Sequence, residues 1–388
     1  MSKNIAVIPL RKGSKGIPGK NRKKLLGRPL YSWVLHEAMQ SSLDKVYIYT
    51  DDEEIIQFVS NEYSEVEKLQ IIERNPDDAT DTASTEAAMR AFSEKISHKY
   101  DTITLLQATS PLTTHKDINQ ALSEIESGSW DSVISLVREK RFIWDNKGNS
   151  LNYDYRARPR RQDFDGLLVE NGAIYTSVKK QFLDSGIRIG GKIGFITMPA
   201  DTYVEIDEAD DFIIIEQLLK KRLIAQKGMP GTVKALVMDV DGVFTDGKIS
   251  YGHKGELSKD FNMRDGMGLE ILRENEVLPM VITSEDSELV KARMKKLQIQ
   301  DAFFGVKDKY HFLDGILQER KLQRSEIVYL GDDRNDLANI LSCGWGICPN
   351  DAVSEVIENS DIRLNNRGGE MAIREVISFI LNHNKRKR

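Results

Sequence analysis

The sequence predicts an α/β protein of two domains, and three features support this prediction. Apolar runs alternate with a helical pattern at the start of the chain, where residues 5–10, 30–40 and 45–49 predict a strand, a helix and a strand. A second buried strand of this kind is predicted at 233–238, directly after a break containing glycine and proline at 226–231. The chain of 388 residues is also long for one hydrophobic core.

Composition and charge narrow the class of protein. The chain is 40% hydrophobic and 30% charged, with a net charge of −5, so no overall positive field would attract nucleic acid or an anionic membrane. Two cysteines, Cys343 and Cys348, predict reduced thiols rather than a disulfide framework. With no leader pattern and no apolar run long enough to span a bilayer, a cytoplasmic protein is expected. The expected domains are 1–226 and 233–388, with a linker at 227–232.

The loop after the first predicted strand alternates glycines with cations. Its glycines and cations are Gly13, Gly16, Gly19, Arg11, Lys12, Lys15 and Lys20. Glycines let backbone N–H groups approach an anion, and several cations neutralise a charge as high as that of a triphosphate. A Walker loop is excluded, because five residues rather than four separate Gly13 from Gly19. The sequence therefore predicts a phosphate-binding loop of another kind.

This loop, written R-x-G-S-K-G-I-P-x-K-N, resembles the signature of the sugar nucleotidyltransferases, in the form found in CMP-sialic acid synthetases (N-acylneuraminate cytidylyltransferases). Residues 106–112, LQATSPL, resemble a second segment of that family. The resemblance implies a Rossmann-like domain with a mixed sheet. The implied CTP-binding residues are Arg11, Ser14, Lys15, Lys20, Asn21, Arg74, Ser84 and Gln107. Arg11 and Lys20 would also act in catalysis, by stabilising charge on the transferring phosphates.

Arg74 and Ser84 are the residues expected to bind the base. An arginine offers only donors, which suits the O2 and N3 acceptors of cytosine. The residues just before Ser84 also allow a second interpretation. In it, Asp81 or Thr82 caps the Ala-rich helix that is predicted to follow.

The densest cationic run of the chain lies at 156–163. Arginine binds a carboxylate through two hydrogen bonds, so the run suits an acidic sugar. Together with 169–175, VENGAIY, it resembles the sugar-binding and dimer-forming segment of the sialic acid synthetases. The implied sugar-binding residues are Gln107, Arg160, Arg161, Gln162, Glu170, Asn171 and Tyr175.

Glu205 and Asp207 are the candidate metal ligands of the first domain. Residues two apart on a strand face the same way, so a strand here would present both carboxylates to one ion. Mg²⁺ prefers one or two carboxylates together with phosphate oxygens and water. The family usually has Asp at the first position, so Glu205 departs from its pattern and could act through a water molecule.

The second predicted domain opens with two carboxylates at the end of a strand. Residues 239–247, DVDGVFTDG, resemble motif I of the haloacid dehalogenase phosphatases, in the form of the sugar-acid phosphatase branch. The resemblance implies that Asp239 is the nucleophile, while Asp241 protonates the leaving oxygen and later activates water. Thr283 and Lys309 follow in the order of the remaining motifs and would bind the phosphoryl group.

Residues 331–336, GDDRND, resemble the Mg²⁺-binding motif of the same phosphatases. The implied ligands are Asp239, the backbone carbonyl of Asp241, Asp332 and Asp336. Three residues follow Thr283 at spacings that resemble the branch acting on nonulosonate 9-phosphates. They are the expected substrate-binding residues, Glu285, Arg293 and Lys296. No large insertion separates motif I from Thr283, so the domain is expected to be a capless Rossmann-like domain, and members built this way typically form tetramers.

We interpret the chain as a bifunctional, Mg²⁺-dependent enzyme. The second domain would dephosphorylate a sialic-acid-type 9-phosphate, and the first would activate the product with CTP, giving the CMP-sugar and pyrophosphate. In one alternative, the second domain is a non-catalytic oligomerisation module. In another, the enzyme activates KDO and hydrolyses KDO 8-phosphate, which Glu285 and the segments 156–163 and 169–175 disfavour. A homo-oligomer is expected, with tetramer contacts in the second domain and dimer contacts in the first.

Overall fold

A computed structural model describes residues 3–14, 16–75, 84–253 and 255–387. It contains two compact units, and each has its own sheet and its own buried apolar clusters. The first unit comprises Met1–Leu25 and Pro29–Leu218, and the second comprises Leu26–Arg28 and Leu219–Arg388. The predicted α/β class with two domains is confirmed, whereas the exact domain boundaries stay a prediction.

The N-terminal half contains the following elements. Its strands are β1 (Asn4–Leu10), β2 (Lys24–Leu25), β3 (Arg28–Pro29), β4 (Lys45–Thr50), β5 (Leu69–Glu73), β6 (Thr102–Leu106), β7 (Ser132–Glu139), β8 (Leu167–Val178) and β9 (Ile193–Met198). Its helices are α1 (Leu30–Gln40), α2 (Glu53–Glu62), α3 (Thr85–Lys95), α4 (His115–Glu126), α5 (Lys179–Ser185) and α6 (Ala209–Gln226).

A mixed seven-stranded sheet organises the first unit, in the order β5-β4-β1-β6-β8-β7-β9. β1 is parallel to both of its neighbours, β4 and β6, while β8 is antiparallel to β6 and β7. Apolar side chains of β1 are buried on both faces, which explains why its sequence is a continuous apolar run rather than an alternating one. The phosphate loop leaves the carboxyl end of this central strand, the edge where open α/β sheets bind ligands.

The C-terminal half has a second set of elements. Its strands are β10 (Ala235–Met238), β11 (Ser250–Gly252), β12 (Gly255–Ser258), β13 (Leu278–Ile282), β14 (Asp301–Phe303), β15 (Ile327–Leu330), β16 (Trp345–Cys348) and β17 (Ile362–Arg363). Its helices are α7 (Met263–Glu274), α8 (Glu288–Lys296), α9 (Lys309–Arg320), α10 (Leu337–Ser342), α11 (Ser354–Asn359) and α12 (Ala372–Lys387).

The second unit is built on a six-stranded sheet in the order β14-β13-β10-β15-β16-β17, and every pairing in it is parallel. The strand β10 is central and fully buried. The antiparallel hairpin β11–β12 separates β10 from α7. Asp239 follows β10, Thr283 follows β13 and Asp332 comes two residues after β15, so the parallel order brings these three positions to one edge of the sheet.

One predicted element is absent. A strand is predicted at 204–207, but the structure has no strand there, and the segment runs between a 3₁₀ turn, Ala200–Tyr203, and α6. The prediction is wrong because alternating polar and apolar residues do not specify a strand unless a neighbouring strand pairs with them. Separately, none of the helices in the described ranges has the length and apolarity needed to cross a bilayer.

Candidate active sites

A cavity of about 300 Å³ lies beyond the carboxyl ends of β1 and β6. It collects most of the predicted nucleotide-binding residues: Arg11, Ser14, Lys20, Asn21, Arg74, Ser84 and Gln107. The eighth, Lys15, lies outside the described residues. Side chains from three separate stretches of the chain therefore line one concave, cationic surface.

The phosphate loop ends in a short 3₁₀ turn, Lys20–Arg22, preceded by Gly19 in the left-handed conformation. The Lys20 ammonium donates to the backbone carbonyl of Ile206 at 2.7 Å and lies 3.3 Å from Oδ1 of Asp207. Asn21 donates through Nδ2 to the carbonyl of Arg11 at 3.1 Å. The loop is thus fixed at its far end to the segment that carries the first pair of candidate metal ligands.

The two residues expected to bind the base are placed differently. Arg74 follows β5 and is buried; its backbone N–H donates to Thr50 and its guanidinium lies 5.6 Å from the ring centroid of Tyr49. Ser84 lines the cavity and also caps α3, because its Oγ accepts from the N–H of Ala87 at 3.1 Å. The predicted alternative caps, Asp81 and Thr82, lie outside the described residues.

Glu205 points toward the sheet, whereas Asp207 points to solvent with 74% of its side chain exposed. Gln107 donates to Oε2 of Glu205 at 3.4 Å. Burial and the Asp207 charge raise the pKa of Glu205 to about 7, although Lys20 and Arg188 act in the opposite direction. The two carboxylates therefore do not face the same way, and Asp207 is the more exposed of the two, since Glu205 is half-buried.

Gly172 makes room for this position of Glu205. Its φ is +66°, and a Cβ added there would lie 2.3 Å from the carboxylate oxygens of Glu205. An L side chain is therefore unfavourable at this position for two reasons, the backbone conformation and the lack of space. Gly172 lies in β8, opposite the point where the β7–β8 register shifts.

The sequence-predicted sugar residues do not form one group. Tyr175 donates to Oε2 of Glu170 at 3.1 Å, and burial together with the Glu170 charge raises the pKa of Tyr175 well above its usual value. The guanidinium of Arg188 lies 4.5 Å from the ring centroid of Tyr175. Arg188 is not among the predicted site residues, because it lies outside every motif and is brought to Tyr175 only by the tertiary fold.

Asn171 is placed in the core rather than on the cavity surface. It is fully buried; its Nδ2 donates to Thr202 at 3.0 Å and its Oδ1 accepts from Ser135 at 2.7 Å. Arg160, Arg161 and Gln162 lie at an exposed 3₁₀ turn and are not among the residues lining the cavity. Within the described part of this unit, the cavity thus contains the nucleotide set and Gln107 but not the other predicted sugar ligands.

A second site lies at the carboxyl edge of the other sheet. Carboxylate oxygens of Asp239, Asp332 and Asp336 lie within 4.8 Å of one another. The buried Lys309 ammonium lies 2.6 Å from Asp239 and 2.8 Å from Asp336. Tyr329 donates to Asp336 at 2.7 Å, a contact that no motif indicates.

The cluster places three carboxylates beside one ammonium, so its negative and positive charges do not balance. Burial raises the pKa of Asp239 to about 7, while Lys309 acts in the opposite direction. Burial and the charges of Asp336 and Asp239 raise the pKa of Asp332 to about 9. Burial disfavours charge on Lys309, but the attraction of both neighbouring carboxylates outweighs it and raises the pKa of that ammonium.

These groups fit a divalent cation. Oδ1 of Asp332 is buried and has no hydrogen-bond partner in the part of the chain that the structure describes. A cation with a preference for oxygen ligands would satisfy that atom and offset the repulsion among the three carboxylates. The predicted set Asp239, Asp332 and Asp336 therefore converges.

The Asp241 side chain lies outside that cluster and pairs instead with Lys259, with its Oδ1 2.9 Å from the ammonium. A cavity of about 280 Å³ is lined by Asp239 and Asp241 together with Thr283, Glu285 and Asp332. Arg293 and Lys296 line a different cavity, between α7 and α8, of about 310 Å³. The three residues predicted to bind the sugar phosphate are thus divided between two cavities.

Comparisons with known proteins find relatives for both halves of the chain. The cytidylyltransferase family model matches residues 5–184. The chain is 33% identical over 387 residues to N-acylneuraminate cytidylyltransferase A of Danio rerio, covering 97% of this chain and 88% of that protein. It is 32% identical over 149 residues to the 3-deoxy-D-manno-octulosonate 8-phosphate phosphatase KdsC of Haemophilus influenzae, covering 38% of this chain and 83% of that protein.

A solved structure is also similar, the cobalt-bound deoxy-D-mannose-octulosonate 8-phosphate phosphatase of Haemophilus influenzae. It has 31% sequence identity and a TM-score of 0.39, and the match covers 40% of this chain and 91% of that one. Fold and sites define a two-domain α/β protein with a cytidylyltransferase domain and a phosphatase-type carboxylate centre. The chain belongs to the N-acylneuraminate cytidylyltransferase family, and its C-terminal part to the KdsC-like phosphatases of haloacid dehalogenase type.

Proposed function

We propose that the chain is a bifunctional enzyme of sialic acid activation. Its first domain transfers CMP from CTP to the anomeric 2-hydroxyl of an N-acylneuraminate, which releases pyrophosphate. Its second domain hydrolyses the phosphate monoester of the corresponding sugar acid. The observation that carries the proposal is that each sheet has, at its carboxyl edge, a separate site suited to a phosphate group. The first is the cationic cavity, and the second is the cluster of three aspartates.

In the transferase reaction, the loop residues bind the triphosphate and the Arg74 region binds cytosine. Arg11 and Lys20 lie on the cavity wall and oppose the negative charge that develops on the transferring and leaving phosphates. Asp207, exposed beside Lys20, is the proposed Mg²⁺ ligand. Glu205 accepts a hydrogen bond from Gln107 and thereby orients Gln107, which is expected to contact the sugar. Bound Mg²⁺ neutralises phosphate charge.

In the phosphatase reaction, an oxygen of Asp239 attacks phosphorus and the bond to the sugar oxygen breaks. Asp241 gives its proton to that oxygen, and then takes a proton from the water that hydrolyses the aspartyl-phosphate. Thr283 and Lys309 hold the phosphoryl oxygens. The carboxylates of Asp239, Asp332 and Asp336 would hold Mg²⁺, which offsets the charge between nucleophile and phosphate.

The substrate proposed for the second domain is a nonulosonate 9-phosphate, such as N-acetylneuraminate or KDN 9-phosphate. This proposal rests on Glu285 in the cavity wall and on the full-length relatives named for N-acylneuraminate. KDO 8-phosphate is the second candidate, because the phosphatase relatives are named for it. We also propose a cytoplasmic homo-oligomer, a tetramer through the second domain with dimer contacts in the first.

Two assays on the full-length protein test the proposal. Pyrophosphate release from CTP is measured with N-acetylneuraminate, KDN and KDO as acceptors, for the wild type and for Arg74→Met. Phosphate release is measured with the matching sugar 9-phosphates and KDO 8-phosphate, for the wild type and for Asp239→Asn. We expect Arg74→Met to impair only the first reaction and Asp239→Asn only the second.

Other outcomes reject a defined part of the proposal. Equal phosphate release by Asp239→Asn and the wild type would reject Asp239 as the nucleophile. Release from none of the sugar phosphates would leave the second domain as a non-catalytic oligomerisation module. Preference for KDO in both assays would replace the sialic acid assignment with the KDO one. Lys234→Met is the matched control, since its ion pair with Glu326 lies at the opposite end of β10.

A further inference from the structure

A buried lysine outside the predicted motifs contacts the aspartate proposed as acid and base. The Lys259 side chain has no exposed surface, and its ammonium lies 2.9 Å from Oδ1 and 3.0 Å from Oδ2 of Asp241. Burying an ammonium is costly unless it is paired, so the two contacts with Asp241 are the compensation for its position. Both oxygens of the Asp241 carboxylate are thereby engaged by one group.

The same ammonium is also joined to the hairpin β11–β12. Lys259 directly follows β12, and its ammonium lies 3.6 Å from Oε1 of Glu256, a residue of that strand. Ser287, the residue that precedes α8, donates through Oγ to the other carboxylate oxygen of Glu256. A continuous set of polar contacts therefore runs from the start of α8, through the hairpin, to Asp241.

This arrangement explains why Asp241 and the cation-binding carboxylates remain apart. Asp241 lies only two residues after Asp239, yet its side chain is not part of the cluster formed by Asp239, Asp332 and Asp336. Each set has its own buried ammonium, Lys309 for the cluster and Lys259 for Asp241. Without Lys259, the side-chain contact left to restrain the Asp241 carboxylate in the described part of the chain would be the Thr245 hydroxyl, which donates to Oδ1 at 3.5 Å.

We propose that Lys259 is a positioning residue for Asp241. It holds the carboxylate away from the cation-binding cluster and toward the cavity, where the sugar oxygen leaves, and through Glu256 it couples that position to the hairpin. Among the described residues, the Lys259 ammonium contacts Asp241 and Glu256 and makes no ion pair with the nucleophile Asp239. The proposal rests on the proposed phosphatase function and deepens it, because it assigns the orientation of the acid and base to a residue outside the motifs.

The test compares two leaving groups in the full-length protein. A sugar oxygen needs a proton to leave, whereas 4-nitrophenolate is a weak base and leaves without one. Steady-state and rapid-mixing assays are run with a sugar-acid phosphate and with 4-nitrophenyl phosphate, on the wild type, Lys259→Met and Lys259→Arg. Lys234→Met serves as the control for loss of an ion-paired lysine in the same unit.

For Lys259→Met we expect kcat on the sugar-acid phosphate to fall by about 100-fold or more with KM nearly unchanged, because general acid–base catalysis contributes about that much. With 4-nitrophenyl phosphate, phosphorylation of Asp239 should persist and appear as a burst of one 4-nitrophenolate per active site, followed by slow turnover as water activation is impaired. Lys259→Arg should recover part of the activity.

An equal loss of the phosphorylation step with both leaving groups would indicate a structural role and overturn the proposal, as would unchanged kinetics. A crystal structure of Lys259→Met supplies a readout besides activity: the Asp241 carboxylate should be displaced from its wild-type position, and an unmoved carboxylate also overturns the proposal. If the wild type releases phosphate from neither substrate, the proposed phosphatase function fails, and the catalytic part of this inference fails with it.

Discussion

Gly242 and Asp332 are 90 residues apart in sequence (332 − 242) and in direct steric contact in the fold. Gly242 has a φ of +80°, and a Cβ added to it would lie 2.0 Å from Oδ2 of Asp332. A side chain at position 242 would therefore require the Asp332 carboxylate to move. Because Gly242 has none, that carboxylate has room to lie in the cluster with Asp239 and Asp336.

Gly242→Ala should displace Asp332 and lower the phosphatase kcat by about 100-fold, since an error of about 1 Å in a catalytic group can cost that much. Phosphate release under saturating Mg²⁺ measures the effect. Cytidylyl transfer should stay within about twofold of the wild type. Gly315→Ala, in α9 with no atom within 4 Å of the added Cβ, is the control and should retain full phosphatase activity. Normal activity in Gly242→Ala would refute the steric argument.

Gly172→Ala should produce the reciprocal result. The added methyl group would displace the Glu205 carboxylate, which now accepts from Gln107, and should lower kcat/KM for cytidylyl transfer by about 100-fold. Phosphate release by the second domain is the internal control. Gly128→Ala separates clash from backbone strain, because Gly128 has a φ of +72° but no atom within 4 Å of the added Cβ. If both alanine variants lose transferase activity equally, backbone strain rather than Glu205 is responsible.

Asn171→Ala should destabilise the first domain rather than weaken sugar binding alone. Removal of its amide takes one buried hydrogen bond from Ser135 and one from Thr202, whose hydroxyls keep their bonds to the backbone of Ile174 and Pro199, at a cost of about 2–3 kcal/mol. Denaturant unfolding at fixed protein concentration measures this loss. The exposed neighbour Glu170, replaced by Gln, is the control and should unfold as the wild type does. An unchanged unfolding midpoint together with a raised KM for the sugar would restore Asn171 as a sugar ligand.

The buried carboxyl of Asp265 predicts a pH dependence of stability. Burial raises its pKa to about 6, although a hydrogen bond from the Arg374 N–H and the charges of Arg293 and Arg374 act in the opposite direction. Because the folded state binds the proton more tightly than the unfolded state, this contribution to stability is present below about pH 4 and is lost as the pH rises to about 6.

The loss should amount to no more than about 3 kcal/mol, which corresponds to about two pKa units. Asp265→Asn should lack this loss and be at least as stable as the wild type at neutral pH. Unfolding free energies across the pH range test the expectation, with the exposed Asp184→Asn as control. A wild-type profile that is flat between about pH 4 and pH 6, or one that Asp265→Asn leaves unchanged, would contradict it.

Mg²⁺ should stabilise the second domain more strongly as the pH rises. The raised pKa values of Asp239, about 7, and Asp332, about 9, mean that protons compete with the cation for these oxygens at lower pH. The increase in melting temperature caused by Mg²⁺ should therefore grow from about pH 6 to about pH 9. Asp332→Asn should reduce the increase at every pH. A Mg²⁺ effect that is constant with pH would argue that the cation binds elsewhere.

The sequence alone determined the fold class, the two-domain organisation and most strands that carry the motifs. Buried parallel strands such as β1 and β10 are continuous apolar runs, and they are followed at once by residues whose chemistry is evident, Arg11 after β1 and Asp239 after β10. Local patterns of this kind do not depend on distant contacts. They place a residue at the end of a strand, and the order of parallel strands then brings several such ends together.

The tertiary structure decided where the remaining side chains point. Whether Asn171 faces a cavity or the core depends on the register of β8 beside β7. The positions of the Glu205 and Asp332 carboxylates depend on the glycines beside them, Gly172 and Gly242 respectively, which leave room for them. Lys259 and Arg188 belong to no motif, because their partners Asp241 and Tyr175 become neighbours only through the folded chain. Sequence spacing carries no information on such contacts, since they join residues whose separation is set by packing and hydrogen bonding rather than by the local chain.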